Sequence, residues 1–468
     1  MRSSAEPQRT SVYAPHTDAD VAKMLAAIGA PSLEALVRVP AAVALRTPLD
    51  IPAGLAEVDL VATMSAYAAR NSALAFTSFL GAGSYHHYVP PVVPSLAMRG
   101  EFLTAYTPYQ AEVSQGSLQA IYEWQTYVCL LTGLDIANAS VYDGATALAE
   151  GAIMAVNATG RRALLVSRAV HPNYRAVLAT YARGLGLQIE ELALAPDGTT
   201  EVASLESLLA SKRFAAVVLQ SPNFFGAIDA PGEGLRSAAE ASGTVPIAVV
   251  AEAMSLGALA PPAASGAQIA VGEAQSFGVA QAYGGPYVGF IAATKEHMRR
   301  IPGRLSGRTV DAAGKTAYTL TLQAREQHIR REKATSNICT NQAHCALIAT
   351  IYLAALGASG LRRCATLNVE RTHALAERVT RVPGFARRFA APVFNEIAIR
   401  VPAGTSAATV LAALRERKIV GGLDLGRFYP ELADAILMTA TELTTNADIE
   451  RLGAALTEIV TEKSFART

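Results

Sequence analysis

Polar side chains that could do chemistry follow the apolar segments in the middle of the chain, at the points where those segments end. The candidates are His171, Glu252, Gln275 and Ser276. In an open parallel sheet, ligands bind at the carboxyl ends of the strands, and these ends share one edge. We therefore expect the four side chains to lie on one edge of a sheet. Polar turns follow the strands of any such sheet, so the residue types alone do not assign a reaction.

A short turn at residues 142–146 opens a predicted helix and is a second candidate for ligand binding. Its candidate residues are Asp143, Gly144 and Thr146. Backbone N–H groups at a helix start, together with the Thr146 hydroxyl, would suit a phosphate group. An ordinary capped helix start has the same residues, and this fragment by itself leaves both interpretations open.

Two clusters combine aromatic and polar side chains, and a third is basic. The first two are His86, His87 and Tyr88, and Tyr106, Tyr109 and Gln110. Such clusters are typical either of packing inside a large domain or of the lining of a pocket. The basic cluster contains Arg330, Arg331 and Lys333. It could attract a carboxylate or an acidic protein surface, although a solvated face has the same composition.

The composition indicates a globular protein and argues against several classes of partner. The chain has 468 residues, of which 51% are hydrophobic and 17% charged. Lys and Arg number 40 and Asp and Glu number 39, so the net charge is +1. A near-neutral chain without a basic run is a poor match for nucleic acid or for an anionic membrane, and we expect neither as a partner.

The cysteines and the apolar segments predict a cytoplasmic protein. The four cysteines show no CxxC spacing, so we expect free thiols rather than disulfides or a metal site. The first 20 residues lack the apolar core of a secretory signal. The longest apolar stretch, residues 345–357, is short for a membrane span and favours a buried core helix.

The order of the predicted elements indicates an α/β fold with three domains. Residues 1–75 show only helical periodicity and predict an N-terminal arm. Residues 76–340 contain apolar strands that alternate with helices, a pattern typical of a mostly parallel sheet covered on both faces. Residues 341–468 begin with a helix predicted at residues 342–356 and then read as a smaller α+β domain.

Several long motifs resemble the glycine-cleavage P-protein family. They lie at residues 78–91, 105–116, 142–147 and 323–340, and the opening segment, residues 16–37, is also similar. The resemblance spans almost the whole chain. It implies the fold of fold-type-I pyridoxal-phosphate transferases, whose phosphate turn, ring-stacking residue, pyridine acid and Schiff-base lysine follow one another in the chain.

The resemblance also implies an activity and partners. The family decarboxylates glycine with pyridoxal phosphate, releases CO2 and passes the aminomethyl group to the lipoyl arm of the H-protein. Some members are single chains about twice as long, whereas in others the two halves are separate subunits. This chain resembles the separate amino-terminal half, or alpha subunit. We therefore expect a beta subunit and a lipoylated H-protein as partners, in an oxidoreductase complex that is a heterotetramer.

Two departures from the family pattern concern the cofactor site. A Schiff base requires a lysine amine, yet no lysine occurs between Lys212 and Lys295. Glu252 stands where the acid for the pyridine nitrogen is usually Asp. We therefore expect pyridoxal phosphate on the beta subunit and no catalytic residue in this chain. The degenerate site retained here would comprise Asp143, Gly144, Thr146, His171, Glu252, Gln275 and Ser276.

The retained motifs then predict a contribution to the partner's active site, near the entry for glycine and the lipoyl arm. The candidate interface residues are His86, His87, Tyr106, Tyr109, Gln110, Arg330 and Arg331. Two alternatives remain. One is a scaffold or regulatory subunit with no residue near the chemistry. The other is a self-sufficient pyridoxal-phosphate enzyme that uses another lysine, such as Lys295.

Overall fold

The structure, a computed structural model, divides into two compact units, Met1–Ser72 and Ala73–Thr468. It describes residues 13, 15–37, 39–40, 42–45, 47, 50–229, 232–338 and 341–462. The domain boundaries predicted near residues 75 and 340 stay predictions.

The described part of the first unit includes the α-helices α1 (Asp18–Ile28) and α2 (Glu57–Ala69). Helix α1 begins at a capping box, in which the Thr17 hydroxyl accepts the Asp20 N–H and the Asp20 carboxylate accepts the Thr17 N–H. None of the described residues of this unit is buried. Apolar side chains on α2, among them Leu60 and Met64, are therefore about half exposed in this chain (48% and 55%).

The second unit contains the remaining elements. Its helices are α3 (Val92–Ala97), α4 (Gly100–Leu103), α5 (Gln115–Thr132), α6 (Gly144–Thr159), α7 (Pro172–Leu185), α8 (Leu205–Ala210), α9 (Gly232–Ser242), α10 (Gln327–Arg330), α11 (Ala343–Thr380), α12 (Ala407–Glu416) and α13 (Asn446–Thr461). Its strands are β1 (Thr77–Ser78), β2 (Ile136–Ala137), β3 (Ala163–Ser167), β4 (Gln188–Leu192), β5 (Phe214–Gln220), β6 (Val245–Val250), β7 (Ile269–Glu273), β8 (Gly289–Ala293), β9 (Leu305–Val310), β10 (Thr316–Thr321), β11 (Ala386–Arg387), β12 (Glu396–Arg400), β13 (Ile419–Val420), β14 (Leu423–Asp424) and β15 (Ala435–Thr439).

The main sheet has seven strands in the order β2-β8-β7-β6-β5-β3-β4. The neighbours from β4 to β7 run parallel, whereas β8 is antiparallel to both β7 and β2. Strands β3, β5 and β7 are buried along their whole length because helices cover both faces. The prediction of a mostly parallel α/β sheet is confirmed.

Apolar packing on the two faces of this sheet holds α6 and α11 in place. On one face, α6 packs Leu148 and Met154 against the strands. On the other, Tyr352 of α11 packs with Trp124 of α5 and Phe290 of β8. Burial of such side chains from water is the main favourable contribution to folding. Helix α6 is therefore fixed with its first residues at the carboxyl edge of the sheet, where β7 ends.

A second, smaller sheet lies in the carboxyl-terminal part of the chain. Its order is β11-β12-β15-β14, and all its pairs are antiparallel. Helices α12 and α13 pack on it through residues such as Val410, Leu414 and Leu456. The α+β character predicted for this part of the chain is present.

Helix α11 is longer than the sequence predicts. Gly357 has φ 61° and ψ −178°, which interrupts the helical backbone where the prediction ended. The chain then returns to helix up to Thr380 because Leu361, Ala365 and Leu375 bury their side chains. By length and apolar composition alone, α11 is the one helix in the described part of the chain that could cross a membrane, and 39% of its most apolar window is buried.

Candidate functional site

The structure places the candidates that follow the parallel strands at the carboxyl edge of the main sheet. His171 lies after β3, Glu252 after β6, and Gln275 and Ser276 after β7. All four are at most 5% exposed. The turn that opens α6 lies at the same edge, because Gly144 contacts the last residue of β7. These residues therefore lie along one edge of the main sheet.

The start of α6 is held by two carboxylates of the chain itself. Asp143 caps the helix by accepting the Thr146 N–H at 2.7 Å. The Glu273 carboxylate accepts the Gly144 N–H at 3.0 Å through Oε2. Its Oε1 accepts the N–H groups of Gln275 at 3.0 Å and Val288 at 2.9 Å. Burial raises the pKa of Glu273 to about 7, and these N–H donors oppose the rise.

His171 is enclosed by aromatic rings and uses both ring nitrogens. Nδ1 accepts the Asn173 N–H at 3.1 Å, so Nε2 carries the proton and donates to the Ala82 carbonyl at 2.8 Å. Phe224 meets the ring edge-on at 4.8 Å between centroids, and Tyr174 lies 5.0 Å away. Burial lowers the pKa of His171, which favours the neutral ring.

Glu252 belongs to a buried chain of charged groups centred on His87. Its Oε2 lies 3.3 Å from His87 Nε2 and accepts from Asn395 at 3.0 Å. The other ring nitrogen, Nδ1, lies 2.8 Å from Glu442. Burial alone would lower the pKa of His87, but the two carboxylates raise it to about 10. His87 is therefore an imidazolium that bridges two carboxylates.

Gln275 holds the segment before His87 in place. Its side-chain amide accepts the Tyr85 N–H at 2.9 Å and donates to the Tyr85 carbonyl at 3.0 Å. The Tyr85 hydroxyl then donates to Glu396 at 2.7 Å. Burial raises the pKa of Glu396 to about 7. The side chain of Gln275 thus forms its hydrogen bonds with backbone groups. The neighbouring Ser276 is 2% exposed.

The remaining candidates lie on the surface of the chain. His86, Tyr106, Tyr109, Gln110, Arg330 and Arg331 are all exposed. Tyr109 and Arg331 line one cavity of about 500 Å³ together with Arg304, whose guanidinium lies 5.8 Å from the Tyr109 ring centre. Arg330 lines another cavity with Lys333. Of the histidine pair, only His87 reaches the buried region.

Lys295 lies at the opposite edge of the sheet. Strand β8 runs antiparallel to β7, so Ala293 pairs with Ile269, the first residue of β7. Lys295 follows Ala293, is exposed, and its N–H donates to Asp135 at 2.8 Å. Its amine therefore lies away from the edge that carries His171 and Glu252.

The architecture is that of fold-type-I pyridoxal-phosphate enzymes. A solved sphingosine-1-phosphate lyase from Burkholderia pseudomallei superposes with a TM-score of 0.65 over 91% of this chain and 94% of its own. At 15% identity, this similarity shows the fold alone.

The particular family is shown by closer matches. The model of the family described as glycine cleavage system P-protein matches residues 11–456, and the chain belongs to that family. A probable glycine dehydrogenase (decarboxylating) subunit 1 from Moorella thermoacetica is 51% identical over 96% of this chain and 99% of its own. A solved glycine decarboxylase (P-protein) in inhibitor-bound form is 45% identical, with a TM-score of 0.87 over 96% of this chain and 100% of that one.

The residues at the carboxyl edge do not fit pyridoxal phosphate, the cofactor that this fold implies. The N–H of Gly144, at the helix start where a phosphate would bind, donates to Glu273. Aromatic rings already pack on His171. Glu252 is engaged by His87 and Asn395.

Three buried acids near the carboxyl edge of the main sheet are not among the residues predicted from the sequence: Glu273, Glu396 and Glu442. Glu273 carried one usable signal, since it is a carboxylate at the last position of an otherwise apolar strand. Glu442 carried none, because it lies 355 residues from His87 in the sequence. Within the described ranges, no group of three or more His, Cys, Asp or Glu residues is arranged to hold a metal ion.

Proposed function

We propose that this chain is the cofactor-free subunit of a heteromeric glycine decarboxylase. The complex decarboxylates glycine, releases CO2 and passes the aminomethyl group to the lipoyl arm of the H-protein. Pyridoxal phosphate belongs to the second subunit of the complex. The name of the Moorella relative, glycine dehydrogenase (decarboxylating) subunit 1, supports a complex of this kind.

The observation that supports the proposal is that the chain's own groups engage the candidate cofactor residues at the carboxyl edge of the main sheet. The Glu273 carboxylate accepts the Gly144 N–H at the start of α6, and His87 and Asn395 both contact the Glu252 carboxylate. The sequence has no lysine between Lys212 and Lys295, and Lys295 lies at the opposite edge. A subunit built in this way requires its partner for the Schiff base.

The contribution of this chain to the partner's active site comes from its surface. Tyr106 and Tyr109 are 78% and 69% exposed, which is unusual for large aromatic side chains and supports an interface role. Arg331, near Tyr109, adds a positive charge that suits the carboxylate of glycine or an acidic carrier surface. The same proposal places the complex in the cytoplasm, in keeping with the free thiols of Cys129, Cys345 and Cys364.

The test is reconstitution of the complex with single alanine variants. Tyr106→Ala and Gln110→Ala are combined with the partner subunit and assayed for glycine decarboxylation with lipoylated H-protein, and assembly is measured by light scattering. We expect turnover to fall at least tenfold, equivalent to about 1.4 kcal/mol. Leu185→Ala is the control, because Leu185 is the last residue of α7 and is 46% exposed.

Unchanged turnover and assembly in both variants would show that these residues take no part in the active site. The chain would then be a scaffold. Loss of assembly together with turnover would indicate that the residues bind the partner rather than the reactants.

A further inference from the structure

The Glu273 carboxylate, which comes from a neighbouring strand, lies at the start of a helix that could otherwise receive an anion. Helix α6 has 16 residues, so its N-terminus carries a sizeable positive end. The Glu273 side chain is 3% exposed and accepts the Gly144 N–H at 3.0 Å. Two more backbone N–H groups, from Gln275 and Val288, donate to its other oxygen. The carboxylate thus has the donors that a bound anion would use.

The backbone at Gly144 is closely packed. A Cβ built on Gly144 would overlap the Tyr174 hydroxyl and would lie 3.0 Å from the Cβ of Glu273. The Tyr174 side chain is itself buried, on the first turn of α7. Asp143 occupies the Thr146 N–H at the same helix start. The start of α6 is therefore contacted by Glu273 of β7 and Tyr174 of α7, in addition to its own capping residue Asp143.

We propose that Glu273 is the residue that excludes phosphate-bearing ligands from this chain. Its carboxylate substitutes for the ligand's phosphate at the start of α6 and keeps the chain folded without a cofactor. This inference rests on the proposed function and adds the residue responsible. It also explains how the chain retains the architecture of a pyridoxal-phosphate enzyme, because an internal anion neutralises the helix end that a cofactor neutralises elsewhere.

The experiment compares Glu273→Ala with the wild-type full chain, using inorganic phosphate as the probe. Thermal midpoints are measured at pH 8 in 20 mM phosphate and in chloride of equal ionic strength. The wild-type midpoint should be the same in both buffers. Glu273→Ala should melt about 2–6 °C lower than wild type in chloride, because three buried N–H groups lose their acceptor, and phosphate should restore part of that loss.

The matched control is Glu150→Ala. Glu150 is also a buried glutamate, 3% exposed, and lies on the same helix, but away from its first turn. Its removal should lower the midpoint without any recovery in phosphate. A recovery in Glu273→Ala no larger than that of Glu150→Ala would overturn the inference, as would stabilisation of the wild-type chain by phosphate.

A second variant keeps the inference testable if Glu273→Ala does not fold. Glu273→Gln retains the side-chain volume and removes the charge, so its midpoint at pH 8 should fall below that of wild type with no recovery in phosphate. A midpoint equal to that of wild type would contradict the role of the carboxylate. If these measurements contradict the role of Glu273, the proposal of a cofactor-free subunit still stands. A wild-type chain that binds pyridoxal phosphate covalently would contradict both proposals.

Discussion

His87 connects three parts of the chain that are far apart in sequence. Its ring joins Glu252, 165 residues away, to Glu442, 355 residues away. Asn368 and the Tyr88 N–H add hydrogen bonds to Glu442, at 2.9 and 2.7 Å. Buried charges are tolerated only when they are paired and hydrogen-bonded, and these are. The imidazolium therefore ties α11 and the region after β15 to the edge of the main sheet.

Replacement of His87 should destabilise the chain in a pH-dependent way. The folded-state pKa of about 10 lies above the unfolded value of about 6.5, so the stabilisation is complete below pH 6.5 and is lost as pH rises through 10. We expect His87→Gln to cost about 3–5 kcal/mol near pH 6.5. The difference from wild type, measured by urea unfolding, should shrink towards pH 10.5.

His86→Gln is the control for that measurement, since His86 is exposed and should change stability little. A stability difference between wild type and His87→Gln that stays constant from pH 6.5 to pH 10.5 would show that His87 is not the protonated bridge.

At the scale of elements, the strands of the main sheet could be predicted because buried parallel strands read as continuous apolar runs. Helix α13 begins at a capping box formed by Thr445 and Asp448, a signal that can be read from the sequence. The hairpin β9–β10 was missed, because its residues are largely exposed or half-buried and lack a clear alternation. The position of the candidate site at the carboxyl edge of the sheet could be predicted. The hydrogen bonds that engage its residues could not, because they join residues far apart in the sequence.

The turn after β5 should tolerate no side chain at Gly226. Gly226 has φ 79°, and a Cβ there would overlap the carbonyl oxygen of Glu396 at the start of β12. We expect Gly226→Ala to lower the free energy of unfolding by about 3 kcal/mol or more, since both the backbone and the neighbouring strand must shift.

Gly160→Ala is the matched control for Gly226. Gly160 ends α6 with φ 69°, but nothing lies within 4 Å of a Cβ built on it. Its substitution should cost only about 1 kcal/mol, for the left-handed backbone. Equal losses in the two variants, measured by urea unfolding, would show that the close approach to β12 does not limit this position.

At the scale of the whole molecule, the second unit has the architecture of fold-type-I pyridoxal-phosphate enzymes, and its own groups engage the candidate residues at the carboxyl edge. Fold alone does not assign activity, which depends on the groups at the site. Glu273, His171 and Glu252 are all engaged by the chain's own groups. We therefore propose that the chemistry takes place on the partner and that this chain supplies a supporting surface.

The most direct test of that account is made on the purified full chain alone. The chain is incubated with pyridoxal phosphate, reduced with borohydride and weighed intact by mass spectrometry, with the partner subunit treated in parallel as the positive control. We predict no stoichiometric gain in mass for this chain and a gain of one reduced cofactor for the partner. A stoichiometric adduct on one lysine of this chain would contradict the account, and the peptide that carries it would identify the nucleophile of an independent enzyme.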